Sequence, residues 1–324
     1  MCTAATYYSG KDFYMGRTLD YERTFGESVC VTPRAFPLEF RHEERLARHY
    51  ALIGTAHVAQ GYPLYYDAVN EKGLGMAGLN FVESCRYGAL QSGARNIAQF
   101  ELIPWILGRC ASLAEARREL AALTIVGEDF SAELPAARLH WLIADKSGAL
   151  ALECTEDGQR VHENPAGVLT NEPPFGVQLF MLRNYLALSP RQPECAFARG
   201  LPLTPYSRGM GAMGLPGDYS SASRFVRAAF VRGNAVSGDS EAESVGQFFH
   251  ITDAVSQPRG VCAADDSFEV TQYACCWNAR SGVYYYTTYN NRRITAVDMH
   301  RADLDGARLE CFPQLTGEDI MRQN

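Results

Sequence analysis

Met1-Cys2-Thr3-Ala4-Ala5-Thr6-Tyr7-Tyr8-Ser9-Gly10-Lys11-Asp12-Phe13-Tyr14-Met15-Gly16-Arg17-Thr18-Leu19-Asp20 opens the chain and decides how the rest is read. Two runs, 3–8 and 13–19, are rich in aromatic and β-branched residues, and Ser9-Gly10-Lys11-Asp12 between them is hairpin punctuation. Pairing these runs sets Arg17 and Asp20 at the end of the second strand, close to Cys2. A terminus held in a sheet is a fixed terminus. Loss of Met1 would turn Cys2 into an N-terminal residue holding both a thiol nucleophile and an α-amine. With a reference pKa of about 7.7–8.0, that amine is suited to act as the thiol's base. Asp20 can hold the amine and Arg17 can stabilise charge there, or the two can form a surface ion pair at a strand end.

Outward from the hairpin, the first eighty residues continue as β-structure at 28–32, 50–54, 64–69 and 74–79. Helical patterns follow over 97–110 and from Ser112, whose spacing to Glu115 predicts a capping box ahead of Leu113, Ala116, Leu120 and Leu123 on one face. Strands resume at 139–144, 150–155 and 167–170, helices at 223–232 and 241–255, and strands again at 271–278, 283–289 and 294–298. This order is not the βαβα alternation of a parallel sheet. It fits an α+β fold of antiparallel sheets covered by helices, in which both ends of the chain share a core. No linker divides residues 1–324, which read as a single domain. The proline- and glycine-rich stretch 189–217 is a long excursion, functional or an assembly arm.

With 324 residues, 47% hydrophobic and 21% charged, the composition is that of a soluble globular protein, and no apolar run is long enough to span a bilayer. A net charge of −7 argues against a nucleic-acid partner. No signal peptide precedes the first strand, so a cytoplasmic protein with reduced thiols is expected. The ten cysteines show no metal-ligand spacing. His42 and His49, seven apart on an Arg-rich segment, read as a solvated face. Gly209-Met210-Gly211-Ala212-Met213-Gly214 spells a dinucleotide fingerprint, but it lies among prolines rather than between a strand and a helix.

Besides Gly16–Asp20, three further segments give weight to Cys2. Gly78-Leu79-Asn80-Phe81 and Leu169-Thr170-Asn171-Glu172-Pro173 each place an asparagine where a strand gives out; such residues form turns, or supply the N–H groups of an oxyanion hole. Leu215 through Ser223 leads into Arg224 in a helix's first turn, where a cation must be compensated by an acid or a substrate, or be solvated. Tyr285-Tyr286-Thr287-Thr288-Tyr289 precedes Ile294-Thr295-Ala296-Val297. Together with Met1-Cys2-Thr3 and Gly16-Arg17-Thr18-Leu19-Asp20, these segments resemble, in order and over almost the whole chain, the choloylglycine hydrolase family: bile salt hydrolases and penicillin V acylases of the N-terminal nucleophile class.

The resemblance implies a four-layer αββα sandwich of two antiparallel sheets, assembly as a homotetramer through the 189–217 arm, and no metal or cofactor. It implies Cys2 as nucleophile and base carrier, Arg17 and Asp20 in support, the Asn171 side-chain amide and the Asn80 backbone N–H as oxyanion hole, and Arg224 completing the site. Asn80 leans toward the bile salt hydrolase branch, because penicillin V acylases often carry tyrosine there. Ser207-Arg208-Gly209 is similar to a loop variant associated with glycine conjugates. Glu172 departs from the serine of many relatives and adds a negative charge beside Asn171, unless its side chain points away. The implied substrate is a small amphipathic amide, a conjugated bile salt, with Leu19, Phe25, Tyr62, Leu64, Tyr65, Phe130 and Leu134 as candidate walls or, equally, core residues. Penicillin V and acyl-homoserine lactones are alternative substrates, and a non-catalytic binder of steroid acids or a redox-sensing thiol protein would be different classes.

Overall fold

The computed structural model describes residues 1–324. In chain order its strands and helices are β1 (Cys2–Ser9), β2 (Asp12–Tyr21), β3 (Ser28–Thr32), β4 (Leu52–Ala59), β5 (Tyr62–Asn70), β6 (Gly75–Asn80), β7 (Arg95–Ala98), α1 (Leu102–Arg109), α2 (Leu113–Ala121), β8 (Leu123–Val126), β9 (Leu139–Asp145), β10 (Gly148–Thr155), β11 (Gly158–Glu163), β12 (Val168–Leu169), α3 (Phe175–Met181), α4 (Ser221–Asn234), α5 (Glu241–Asp253), β13 (Ala263–Ala264), β14 (Ser267–Phe268), β15 (Val270–Asn278), β16 (Val283–Thr288), β17 (Thr295–Asp298) and β18 (Glu310–Pro313). A six-stranded sheet has the order β12-β1-β2-β15-β16-β17 and an eight-stranded sheet the order β11-β10-β9-β6-β5-β4-β3-β18. Both are antiparallel throughout.

Strands such as β9, buried from His140 to Asp145, are apolar on both faces because each sheet is covered twice. Between the sheets, Met15, Trp277 and Tyr284 meet Val31, Val69 and Leu79, and the same core continues under Phe225 and Phe248 of α4 and α5. A second core packs Leu102, Trp105 and Ile106 of α1 on Met76, Ile143 and Leu152 of the eight-stranded sheet. The result is the αββα sandwich. Gly75 allows the sheets to close: a Cβ there would lie 2.6 Å from the Trp277 ring. Polar ties cross the same gap, since the hydroxyls of Tyr273 and Tyr284 donate to Asp67 at 2.5 and 2.6 Å. Burial pushes the Asp67 carboxyl above its ordinary pKa.

Several boundaries differ from the sequence reading. The helix expected over 97–110 begins only at Leu102, because Arg95–Ala98 pairs in parallel with β8. Leu123 belongs to β8 rather than to the α2 face. Ser112 caps Glu115 N–H, but the Glu115 carboxylate accepts from Ala111, so the capping box is half made. His42 is on the surface beside Glu128, whereas His49 is buried with both ring nitrogens on the carbonyls of Tyr50 and Phe36. The stretch 189–217 is irregular apart from a short turn at Met210–Ala212, and that turn, not a nucleotide loop, is what the glycine pattern forms. No helix is long and apolar enough to cross a membrane.

Candidate active site

The β1–β2 register runs from Ser9 opposite Asp12 down to Cys2 opposite Leu19. The hairpin thus delivers Cys2, 2% exposed, to the end of a central strand pair. Alternation along β2 sends Arg17 to one side and Asp20 to the other. Both are fully buried and they do not pair. Arg17 points across to the eight-stranded sheet. There the β5–β6 ladder ends at Asp67–Ala77, and Arg17 Nη1 fills the opening by donating to the carbonyls of Tyr66 at 3.2 Å and Gly78 at 2.5 Å. Its Nη2 is buried without a partner. Burial opposes its charge, but Cys2, Tyr273 and Asp67 around it raise its pKa beyond the ordinary arginine value. Asp20 faces the helix side, accepting from Thr271 at 2.6 Å, Thr18 at 3.1 Å and Gln257 at 3.5 Å.

The oxyanion candidates arrive from opposite sheets. Leu169 of β12 pairs with Ala4, which carries Asn171 to the Cys2 end of β1. Asn171 Oδ1 accepts from the Cys2 N–H at 2.9 Å and from Arg224 Nη2 at 2.7 Å, and its Nδ2 donates to the Asn80 carbonyl at 2.8 Å. Phe81 N–H bonds to the Arg138 carbonyl, so antiparallel alternation turns the Asn80 N–H away from β9, toward the side where β5 has diverged. Arg224, in the first turn of α4, is fully buried. Its compensation is a set of oxygens: the carbonyls of Cys2 at 2.5 Å and Tyr219 at 2.9 Å and the Thr3 hydroxyl at 2.6 Å, with Asp20 at 4.0 Å. Burial lowers its pKa, against the attraction of Asp20 and Cys2.

Residues that sequence reasoning missed hold the asparagines in place. His140 of β9 is fully buried, stacked on Phe81 at 4.3 Å, with Nε2 2.7 Å from the Thr170 carbonyl and Nδ1 3.0 Å from Glu153. Both ring nitrogens thus face oxygen atoms of neighbouring segments. Ser221 Oγ accepts from Asn171 N–H at 2.8 Å, and Gln178 donates to the Asn171 carbonyl at 2.6 Å. A polar ring inside the otherwise apolar run 139–144 was the available signal. Glu172 turns away from Asn171 and binds the backbone N–H groups of Glu83 and Ser84 and the Ser84 hydroxyl.

The candidate walls divide. Leu19 is buried against the inter-sheet core, and Phe25 is partly buried beside Tyr21 and His57. Tyr62 packs with Phe130 and Phe100 at 6.1 and 6.4 Å, and Phe130 N–H bonds to Leu134. Leu64 is partly buried opposite His57. Tyr65 is not brought to the Cys2 side: it lies in the core beneath α1, with its hydroxyl on Thr32 and the Cys30 carbonyl. Wide clefts of about 770 and 810 Å³ open elsewhere, over Arg34 and Arg118 and over Gln91 and Gln159, so size alone does not mark this site.

Met1 occupies the end of the group. Its ammonium donates to the Asp20 carbonyl at 2.6 Å and pairs with Glu269, its carbonyl accepts from Asp20 N–H, and burial lowers the ammonium pKa.

Residues 2–312 match the model of the linear amide C–N hydrolases, choloylglycine hydrolase family. The chain is 48% identical over 314 residues to a bile salt hydrolase/transferase of Lactiplantibacillus plantarum, with 97% of each covered. It is 34% identical to a conjugated bile acid hydrolase of Lactobacillus gasseri, covering 95% of this chain and 99% of that one. A solved variant of the conjugated bile acid hydrolase from Clostridium perfringens superposes over 100% of both chains with a TM-score of 0.92 at 33% identity. Penicillin V acylase from Agrobacterium tumefaciens, at 21% identity and a TM-score of 0.77 over 96% of this chain and 91% of that one, shares the fold.

Proposed function

The chain belongs to the choloylglycine hydrolase family of linear amide C–N hydrolases, and on that premise we propose that it cleaves the amide of bile salts conjugated to glycine or taurine, with Cys2 as nucleophile once Met1 is gone. The observation that carries this reading is the convergence on Cys2 of Arg17 and Asp20 from β2, Asn80 from β6, Asn171 beyond β12 and Arg224 from α4.

Removal of Met1 frees the nitrogen that now donates to Asn171 as an amine beside Asp20. The amine takes the thiol proton and the sulfur attacks the amide carbonyl, between the buried guanidiniums of Arg17 and Arg224. Asn171 Nδ2 carries two hydrogens; one lies on the Asn80 carbonyl, and the second, with the Asn80 N–H, receives the oxyanion. The ammonium then protonates the departing glycine or taurine nitrogen. Water, deprotonated by the same amine, hydrolyses the thioester. The steroid lies against Leu19, Phe25 and Leu64 and the cluster of Tyr62, Phe130 and Leu134. We also propose that the chain assembles as a homotetramer through 189–217, where Phe197 and Tyr206 are 80% and 84% exposed.

The test is a rate comparison on glycocholate, taurocholate and penicillin V, with enzyme whose intact mass shows Met1 removed. Faster turnover of the bile salts is expected. Penicillin V turnover without bile salt hydrolysis would overturn the substrate, and unchanged turnover by Cys2→Ala would overturn the nucleophile.

A further inference from the structure

β18 covers the outer edge of β3, and the register of the pair sets Cys311 directly opposite Cys30. Residues opposite each other on antiparallel strands share a face, with Cα atoms about 4.5–5.5 Å apart, inside the range that a disulfide spans without backbone movement. Both thiols are free and their sulfurs touch; Cys30 is buried and Cys311 is exposed. Seven of the ten cysteines are buried, and among them Cys30 has its sulfur against that of an exposed cysteine. The contact is asymmetric in chemistry as well: the bond from Cys30 lowers the Cys311 pKa, and the same bond with burial raises Cys30. An exposed thiol beside a shielded partner is the arrangement of an attacking and a resolving cysteine.

We propose that Cys30 and Cys311 form a redox-modification site, closing a reversible disulfide in the presence of a peroxide and stapling the C-terminal strand to the eight-stranded sheet. The Cys311 thiolate attacks one peroxide oxygen, breaking the O–O bond to give a sulfenic acid and hydroxide. Cys30 sulfur, losing its proton, then displaces the sulfenic oxygen as water and forms the S–S bond. In sum, two thiols and one hydrogen peroxide give one disulfide and two waters; a dithiol reductant reverses the step by exchange.

What the staple would hold is the segment just after β18, which spans both sheets. Gln314 bonds to the Glu27 carbonyl at 3.3 Å and to Thr55 at 3.2 Å, and Leu315 bonds to Tyr286 and Thr288 of β16 at 3.1 and 2.7 Å. The Glu27 carboxylate in turn accepts from Phe25 N–H at 3.0 Å. A closed ring of almost the whole chain restricts the unfolded state strongly.

The experiment treats the full-length protein with hydrogen peroxide, blocks remaining thiols with an alkylating agent and maps peptides by mass, so the state of Cys2 does not enter the readout. A Cys30–Cys311 peptide pair, released by dithiothreitol, is expected, together with a rise in Tm of about 3–6 °C in the oxidised form. Cys311→Ser, at an exposed position, should fold, lose the cross-link and show no such rise, which covers the case in which Cys30→Ser fails to fold. Alkylation of both cysteines at a peroxide dose that oxidises exposed Cys195 would overturn the site. A cross-link without a change in Tm would overturn the stapling.

Discussion

At the scale of single residues, the proposed chemistry rests on side chains that each serve more than one neighbour. Arg224 bridges the Cys2 carbonyl, Thr3 and Asn171, a fork that the point charge of lysine does not reproduce. Asn171 accepts from the Cys2 nitrogen through its oxygen and, in the proposed chemistry, supplies the oxyanion donor through its nitrogen. Asn171→Ala should lower kcat on glycocholate about 10²–10³-fold in processed enzyme, measured by release of glycine. A loss below tenfold would mean that the oxyanion is held elsewhere. Cys2, Asn80, Asn171 and Arg224 could be picked out in the sequence because each stands at a strand or helix end or just beyond it, whereas Arg17 lies inside β2, which runs on to Tyr21 past the end read from the sequence. His140 could not, since a lone histidine within an apolar strand has no local partner: its contacts to Phe81, Glu153 and Thr170 come from three other segments.

At the scale of elements, His140 joins two strand ends that belong to different sheets. It stacks on the residue after Asn80 and bonds to the residue before Asn171. His140→Ala should therefore cut kcat about 10²-fold while KM stays within about threefold, because a misplacement near 1 Å is enough to cost that much rate. His140→Gln, which can donate to Thr170, should recover part of it. A second prediction concerns the 33–51 excursion, tied to the β5–β6 turn where Arg34 forks onto Glu71. Those bonds hold the Glu71 carboxyl below its usual pKa. A lowered folded-state pKa adds stability above the unfolded value near 4.5 that disappears as pH falls through the folded one. Glu71→Gln should lower Tm by about 1–3 °C at pH 7, with the gap to the parent closing between about pH 5 and pH 3 in thermal scans. Element existence was readable where periodicity and turn residues agreed, as in the β1–β2 hairpin. It was not readable at Arg95–Ala98, whose apolar residues run on into α1 and whose strand partner is β8, nor at β11, whose residues are largely polar and which is recognised by pairing with β10.

At the scale of the whole molecule, the 189–217 arm leaves Phe197 and Tyr206 on the surface of a 35.8 kDa chain. Light scattering should report four chains per particle, and Phe197→Ser combined with Tyr206→Ser should shift the mass toward a single chain. A parent protein that already runs as one chain would remove the assembly role. The sheet order has a second consequence, in time rather than space. β1 lies between β2, synthesised at once, and β12, while Arg224, Glu269 and β15, which enclose Met1 and Cys2, come from far along the chain. Roughly 250 residues separate the first hairpin from β15, so at about 5–20 residues per second the start of the chain waits on the order of 10–50 s for its cover. If Cys2 acts as proposed, excision of Met1 is a race between an aminopeptidase and the ribosome, and the fraction of active molecules would record how fast each one was made.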